Sequence, residues 1–196
     1  MNKDGLLRSI AETAYNVGFG AKKHFATFDM VEKLPGVIGF LSIAVGILSL
    51  VIDQLSSKVP SAGLTIAGVA ALYMSFYDHK KADYDRTGKE LTGMFNELRN
   101  LYRQVESGAD LGQSLVALKE IEVRFQNASI SNQAWLSDWY AHYKFFSQQQ
   151  IEWIDKELKF RWTDKVPVSL RVWLVVLVLG LIGVLAYSFL PCFDLR

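Results

Sequence analysis

The stretch VIDQLSSKVPSAG, residues 51–63, is a short polar interval between two long apolar runs. Residues 34–52 and residues 60–77 contain no charged side chain, and residues 172–190 form a third run of this kind. Each run has 18 or 19 residues, close to the roughly 20 that an α-helix needs to cross a hydrocarbon core about 30 Å thick. The sequence therefore predicts three membrane spans, with residues 51–63 at the tip of a hairpin rather than in a loop of a soluble helical core.

The three runs differ in how strongly they favour insertion. The chain has 196 residues, of which 51% are apolar. Leu, Ile, Val and Phe account for 13 residues of the third run and 12 of the first, but only five of the second. The second run is therefore expected to need a partner helix. Because residues 53–58 leave room only for a tight reversal, the predicted partner is the first run, in an antiparallel hairpin.

Basic residues indicate how the spans are oriented. Five Lys or Arg precede the first run, one lies at the hairpin tip, fourteen lie between the second and third runs, and one ends the chain. The positive-inside rule then places the leader and the central segment in the cytoplasm, and the hairpin tip and C-terminus outside. The first run begins at Leu34, too late for a cleaved signal peptide, so we expect it to be retained. The single cysteine, Cys192, has no internal disulfide partner and is expected just outside the membrane.

These features predict an all-α membrane protein with an N-terminal transmembrane hairpin, a cytoplasmic helical bundle that extends from the second span, and an additional C-terminal transmembrane helix. The predicted segments are a cytoplasmic or interfacial helix in residues 1–33, the hairpin in 34–77, the cytoplasmic helical domain in 78–169, the third span in 170–190 and an outside tail in 191–196.

The central segment is predicted to be helical throughout. Apolar residues recur there at three- and four-residue spacing, which places them on one helix stripe, and the second span is expected to continue into it as one rod of about 45 residues. Gly108 is expected to end that rod and Asp110 to cap the next helix. The stripe is a candidate oligomer interface, able to pack either on another helix of the chain or on a second protomer; it comprises Leu91, Met94, Leu98, Leu101 and Val105.

An aromatic-rich stretch follows, and it is predicted to be a third long helix that starts near Ser131. Its sequence contains WLSDWYAHYKFFSQQQIEWIDKELKFRW, and Pro167 marks the turn into the last span. Aromatic side chains at helical spacing are typical of a packing face, which we favour over a base-stacking or ligand site. The side chains expected on that face are Trp135, Trp139, His142, Phe146, Trp153 and Leu158.

Several function classes are disfavoured. The sequence contains no glycine-rich phosphate loop and no paired metal-ligand motif, and its three histidines lie far apart. The central segment holds 14 basic and 14 acidic residues, whereas a nucleic-acid-binding domain would show a basic excess. Asp138, His142 and Glu152 could form an acid-base set, but charges on an amphipathic helix are usually its solvated face. We therefore expect neither an enzyme nor a bound cofactor or metal, and no direct nucleic-acid binding.

The informative polar residues lie inside the predicted hairpin. Small side chains at this spacing allow close helix approach, and hydroxyls among them can bond across helices or face water. They either pack the hairpin itself or line a water-filled path in an oligomer, since the spans of one chain cannot enclose a pore. The candidates are Gly39, Ser42, Gly46 and Ser49 in the first span and Ser61, Thr65, Gly68 and Ser75 in the second.

Three stretches of the chain together resemble SLATT-domain proteins of bacteria. These are AETAYNVGFGAKKHFATFDMVEKLPGVIGFLSIAVGILSL, then FYDHKKADYDRTGKELTGMFNELRNLYRQV, then QAWLSDWYAHYKFFSQQQIEWIDKELKFRW. The resemblance implies an effector of anti-phage or conflict systems that forms pores in the bacterial inner membrane when a partner signals infection. Implied partners are a nucleotidyltransferase that makes nucleotide second messengers or a reverse transcriptase. Many members have only two spans, so the third is a departure or a subfamily feature. The alternative is a non-conducting anchor, scaffold or sensor.

Overall fold

The computed structural model describes residues 2–189, and within them every regular element is a helix. The chain divides into two units, residues 1–159 and a second that begins at Phe160. Cys192 and the predicted outside tail lie beyond the described residues. The helices are α1 (Lys3–Leu48), α2 (Lys58–Ser75), α3 (Lys81–Glu106), α4 (Leu111–Ala128), α5 (Ser137–Gln148), α6 (Glu152–Leu158) and α7 (Val168–Phe189), with 3₁₀ turns at Asp53–Ser56, Asp78–Lys80 and Trp162–Lys165.

Helix α1 is a single helix of 46 residues that contains both the leader and the first span. It begins where the Asn2 side chain accepts a hydrogen bond from the backbone N–H of Gly5 at 3.0 Å, which satisfies one of the free donors of the first turn. No break separates residues 1–33 from the span. Instead the leader half of α1 is the central helix of a bundle, and it buries an apolar stripe formed by Leu6, Ile10, Ala14, Val17 and Ala21.

Helix α3 packs closely along this half of α1, and small residues set the distance between them. A Cβ atom on Gly18 of α1 would lie 2.7 Å from Cδ2 of Phe95 and 3.0 Å from Cε2 of Phe145, and both rings are fully buried. A Cβ on Gly88 of α3 would lie 2.9 Å from the ring of Phe25. Helices α5 and α6 also pack on α1, and α4 packs on α3. Helices α3 to α6 and residues 3–31 of α1 form what we call the helical bundle.

The predicted hairpin is present. The end of α1 and α2 pack against each other and are joined by residues 49–57, which include the 3₁₀ turn Asp53–Ser56. The first arm is shorter than its apolar run, because α1 ends at Leu48 and residues 49–52 already belong to the reversal. The expected rod from α2 into the bundle is interrupted by one 3₁₀ turn, Asp78–Lys80, so α2 and α3 are successive helices rather than one.

The boundary between α3 and α4 follows the prediction. Gly108 has a positive φ of 100°, a conformation that glycine adopts without the steric cost of a Cβ. The Asp110 side chain then accepts a hydrogen bond from the N–H of Gln113 at 2.7 Å and caps α4.

The predicted third long helix is divided. Residues 129–136, which we call the α4–α5 loop, contain no helix, and residues 149–151 separate α5 from α6. Trp135 therefore lies in the loop, and its side chain is 67% exposed instead of forming part of a packing face. Other aromatic residues of the stretch do pack: the rings of His142 and Phe146 lie 5.6 Å apart, and Trp153 lies 5.0 Å from Tyr102.

Helix α7 belongs to the second unit and begins directly after Pro167, as predicted. Its 22 residues correspond to a length of about 33 Å. The side chains of residues 172–185 are all exposed, and they are apolar on every side of the helix. A helix with this surface is stable in a hydrocarbon environment and not in water.

Candidate functional site

Most of the large apolar side chains exposed in the described structure belong to the hairpin and α7. On the hairpin, Phe40 is 72% exposed, and Val37, Ile43, Ile66 and Val69 are also exposed. Three helical stretches are long and apolar enough to cross a membrane: α1, α2 together with α3, and α7. Apolar surface of this extent is not left in water by a soluble protein, so the chain is a membrane protein.

The eight small or polar candidates of the hairpin lie mainly on its outside. Ser42, Ser49 and Gly68 are half-buried. The exposed ones are Gly39, Gly46, Ser61, Thr65 and Ser75. A Cβ atom on Gly39, Gly46 or Gly68 would meet no atom within 4 Å. The two arms therefore do not approach closely at these glycines, and a Cβ at each one would have open space around it.

The hydroxyl groups among these candidates are bonded within their own helices. Each donates to a backbone carbonyl three or four residues earlier, at distances between 2.7 and 3.1 Å. Because every donor is satisfied, the hairpin can enter hydrocarbon without hydroxyl partners from another chain. The oxygen lone pairs remain able to accept hydrogen bonds from water. The hydroxyls are those of Ser42, Ser49, Ser61, Thr65 and Ser75.

The candidate interface stripe of α3 is buried inside the chain. Leu98 is 0% exposed, and the other members are almost as inaccessible. Other helices of the same chain cover this stripe, so its side chains are not accessible to a second protomer. The buried members are Leu91, Met94, Leu98, Leu101 and Val105.

A hydrogen-bond chain joins the α4–α5 loop to α2. The Trp135 N–H donates to Oη of Tyr73 at 3.3 Å, and Oη of Tyr77 donates to the carbonyl of Gln133 at 3.4 Å. Since the Tyr77 proton is directed to Gln133, the 2.9 Å contact between the two phenol oxygens requires Tyr73 to be the donor. Tyr77 thus donates to a backbone carbonyl of the loop, whereas Tyr73 accepts from a backbone N–H of the loop and donates to Tyr77.

The same loop is bound to α1. Thr27 donates to Oε1 of Gln133 at 2.6 Å, and Tyr84 of α3 donates to the carbonyl of Asn132 at 2.5 Å. The Ile130 N–H donates to Nε2 of His24 at 3.1 Å. Nε2 must therefore lack a proton, and Nδ1 carries it and donates to the Gly20 carbonyl at 2.7 Å. The loop is thus held by α1, α2 and α3 together.

Burial lowers the pKa of His24, and the charge of Lys23 acts in the same direction, whereas the hydrogen bond to the Gly20 carbonyl raises it. The net lowered pKa agrees with the neutral ring that the two hydrogen bonds require. Protonation would put a second proton on Nε2, facing the Ile130 N–H.

Ion pairs surround the place where α1 passes from bundle to span. Burial raises the pKa of the Asp29 carboxyl, but hydrogen bonds from Lys144 and Lys33 and their positive charges outweigh it and hold that pKa below its ordinary value. Lys81 pairs with Glu32 at 2.6 Å and connects α3 to the same turn of α1. These contacts fix α5 and α3 to the end of the bundle that carries the hairpin.

The acid-base set considered from sequence does not assemble. Asp138 forms an ion pair with Lys23 at 2.7 Å, and the His142 ring packs 4.9 Å from the ring of Phe19. Glu152 lies on α6, after the break that ends α5. Among residues 2–189, no group of three or more His, Cys, Asp or Glu side chains could hold a metal ion.

The α4–α5 loop was not anticipated from sequence as part of the site. Its side-chain partners come from residues about 50 to 110 positions away, so no local pattern identifies them. The one available signal is the pair of tyrosines four residues apart at the end of an apolar run, whose hydroxyls share a helix face.

A family model described as SMODS and SLOG-associating 2TM effector domain 6 matches residues 1–174. The match contains the hairpin and the whole bundle and ends inside α7. Neither a curated protein nor a solved structure matches the chain.

Proposed function

The chain belongs to the SLATT family of two-transmembrane effector domains, and from that membership and the free small-residue surface of its hairpin we propose that it is a membrane effector of a bacterial anti-phage or conflict system. On activation it self-associates through the hairpins and permeabilises the inner membrane. No catalytic step is part of this proposal. The activating partner we propose is a nucleotide-signalling or reverse-transcriptase system, in keeping with the SMODS and SLOG association in the family description.

The observation that supports self-association most directly is the free space beside Gly39, Gly46 and Gly68. Small residues in membrane helices typically mark places where helix backbones meet, yet the arms of one hairpin do not use them. A second hairpin could approach there, and the adjacent Ser61 and Thr65 oxygens would then be available to water in the assembly.

The test compares two identical substitutions on opposite sides of α2. Successive residues of an α-helix are about 100° apart, which places Gly63 on the side opposite the Ser61, Thr65 and Gly68 stripe. A Cβ at either glycine would meet no atom within 4 Å, so neither introduces a clash at that atom. Gly68→Leu should abolish permeabilisation when the protein is induced with its native system, whereas Gly63→Leu should retain it.

A potential-sensitive dye in living cells supplies the measurement, with equal membrane insertion of both variants checked by fractionation. Depolarisation should precede other lesions with the unaltered chain and with Gly63→Leu. Toxicity without depolarisation, or equal depolarisation by both variants, would favour the alternative of a non-conducting anchor, scaffold or sensor.

We also propose the orientation that the basic residues predict, with the bundle in the cytoplasm and the C-terminus outside. A membrane-impermeant thiol reagent should then label Cys192 in intact spheroplasts. A Val116→Cys variant lacking Cys192 places a comparison thiol at an exposed bundle position and should be labelled only after lysis. The reverse pattern would overturn the orientation.

A further inference from the structure

Trp135 combines three properties that bear on its surroundings. It lies outside every predicted span, its side chain is 67% exposed, and its backbone N–H is bonded to Tyr73 within the apolar run of the second span. An exposed indole far from the spans in sequence is thus fixed beside the bundle end of a span. Phe76, 74% exposed, follows the last residue of α2 directly.

The backbone around Trp135 has little freedom to move away. Ala134 before it is buried, and its N–H faces the Thr27 hydroxyl at 3.4 Å. Leu136 after it adopts a left-handed conformation with φ of 67°, which costs a residue other than glycine about 1–2 kcal/mol. The hydrogen bonds from the side chains of α1, α2 and α3 to residues 130–135 hold the loop in this conformation.

We propose that the α4–α5 loop seats Trp135 in the headgroup layer of the bilayer that the hairpin crosses. Indole combines a large apolar ring with one N–H donor and is enriched at the boundary between hydrocarbon and water. The occupant is the lipid surface because the Trp135 backbone is bonded to Tyr73 near the end of the second span, where Leu72 and Phe76 also expose apolar side chains that membrane insertion of the hairpin would place against lipid. The bundle therefore has a membrane contact of its own, in addition to the spans.

This contact has a mechanical consequence for the bundle. With Trp135 in the headgroup layer and the loop bonded to Tyr73, Tyr77 and Thr27, the bundle rests against the bilayer at the base of the hairpin. A rotation of the bundle that separated the loop from α2 would have to break these hydrogen bonds and withdraw the indole from the interface. The inference rests on membrane insertion of the hairpin and not on permeabilisation, so either can fail alone.

The experiment measures the depth of Trp135 in vesicles of phosphatidylcholine and phosphatidylglycerol. The full chain is reconstituted with Trp135 as the sole tryptophan, the other four being replaced by Phe. Its emission should be blue-shifted, quenched more by lipids brominated near the headgroup than by lipids brominated near the chain end, and protected from aqueous iodide. The matched control carries Val116→Trp in a tryptophan-free chain, since Val116 is 57% exposed on α4; iodide should quench it and neither bromolipid should.

Because four substitutions could disturb the bundle, the same quenching series is also run on the unaltered chain and on the single variant Trp135→Phe. The difference between their emissions reports Trp135 in an otherwise native protein and should show the same shallow quenching. Strong iodide quenching without bromolipid quenching would overturn the proposal in favour of an aqueous loop. Protection of Trp135 from all quenchers would also overturn the proposal, because the indole would then be covered by protein. If that protection were lost in nanodiscs that hold a single chain, the covering protein would be a second copy.

Discussion

Replacing Leu98 with Ala tests whether this residue belongs to the core of the bundle or to an interface between protomers. Leu98 is 0% exposed in the single chain, so alanine removes three buried carbons, worth about 2.4 kcal/mol at roughly 0.8 kcal/mol each, and leaves a cavity that brings the loss to about 2–5 kcal/mol. For a bundle of about a hundred residues, such a loss lowers the unfolding temperature by roughly 8–20 °C.

The assay is thermal unfolding of the full chain in mild detergent, followed by near-ultraviolet circular dichroism at several protein concentrations. We expect the loss to be the same at every concentration, because the contacts lie within one chain; contacts between chains would make it concentration-dependent. Val116→Ala on the exposed face of α4 is the control, with a change within about 0.5 kcal/mol. A small loss, or one that grows on dilution, would refute the assignment of Leu98 to the core.

Two further predictions concern the bundle. The free energy of unfolding should fall as pH decreases below about 6.5, because the unfolded chain then binds a proton that the lowered pKa of His24 keeps from the folded state. In unfolding measured at several pH values, His24→Asn should reduce this dependence on pH. An unchanged dependence would exclude His24 as its source. Gly18→Ala should destabilise the bundle by about 1–3 kcal/mol of overpacking against Phe95 and Phe145, partly offset by about 1 kcal/mol of helix propensity. The same change at Gly39, where the new Cβ meets no atom within 4 Å, should not lower the unfolding temperature, and equal effects at both glycines would contradict the packing described.

The spans and the cap at Asp110 could be predicted because each depends on residues adjacent in sequence. The α3 stripe was identified from its period, but period alone does not distinguish a core from an interface. The leader carries the same three- and four-residue spacing, from Leu6 to Ala21, and it was predicted to be a cytoplasmic or interfacial helix without a packing partner being identified. Only the packing against α3 shows that it is the centre of the bundle.

The breaks in the aromatic stretch could not be predicted, because no glycine or proline marks residues 129–136 or 149–151. In the first break, backbone groups that would otherwise bond within a helix are bonded by His24, Thr27 and Tyr84. Tertiary partners more than forty residues away outweigh local helix propensity there. Trp135 lies in this loop because distant side chains, rather than helical neighbours, bond its backbone. No local sequence pattern therefore predicts its exposure.

Because α1 is continuous, a movement of the bundle is transmitted to the hairpin. One helix is both the centre of the bundle and the first arm of the hairpin, so no flexible linker separates them. Pro35, which cannot donate a backbone hydrogen bond, removes one hydrogen bond from α1 near the start of the first span. The arm beyond it, to Leu48, is about 20 Å long, so a 10° change of angle at Pro35 would move the hairpin tip sideways by roughly 3–4 Å. A displacement of that size is comparable to the width of the side chains that separate neighbouring helices. A partner that binds the bundle could therefore change how neighbouring hairpins pack.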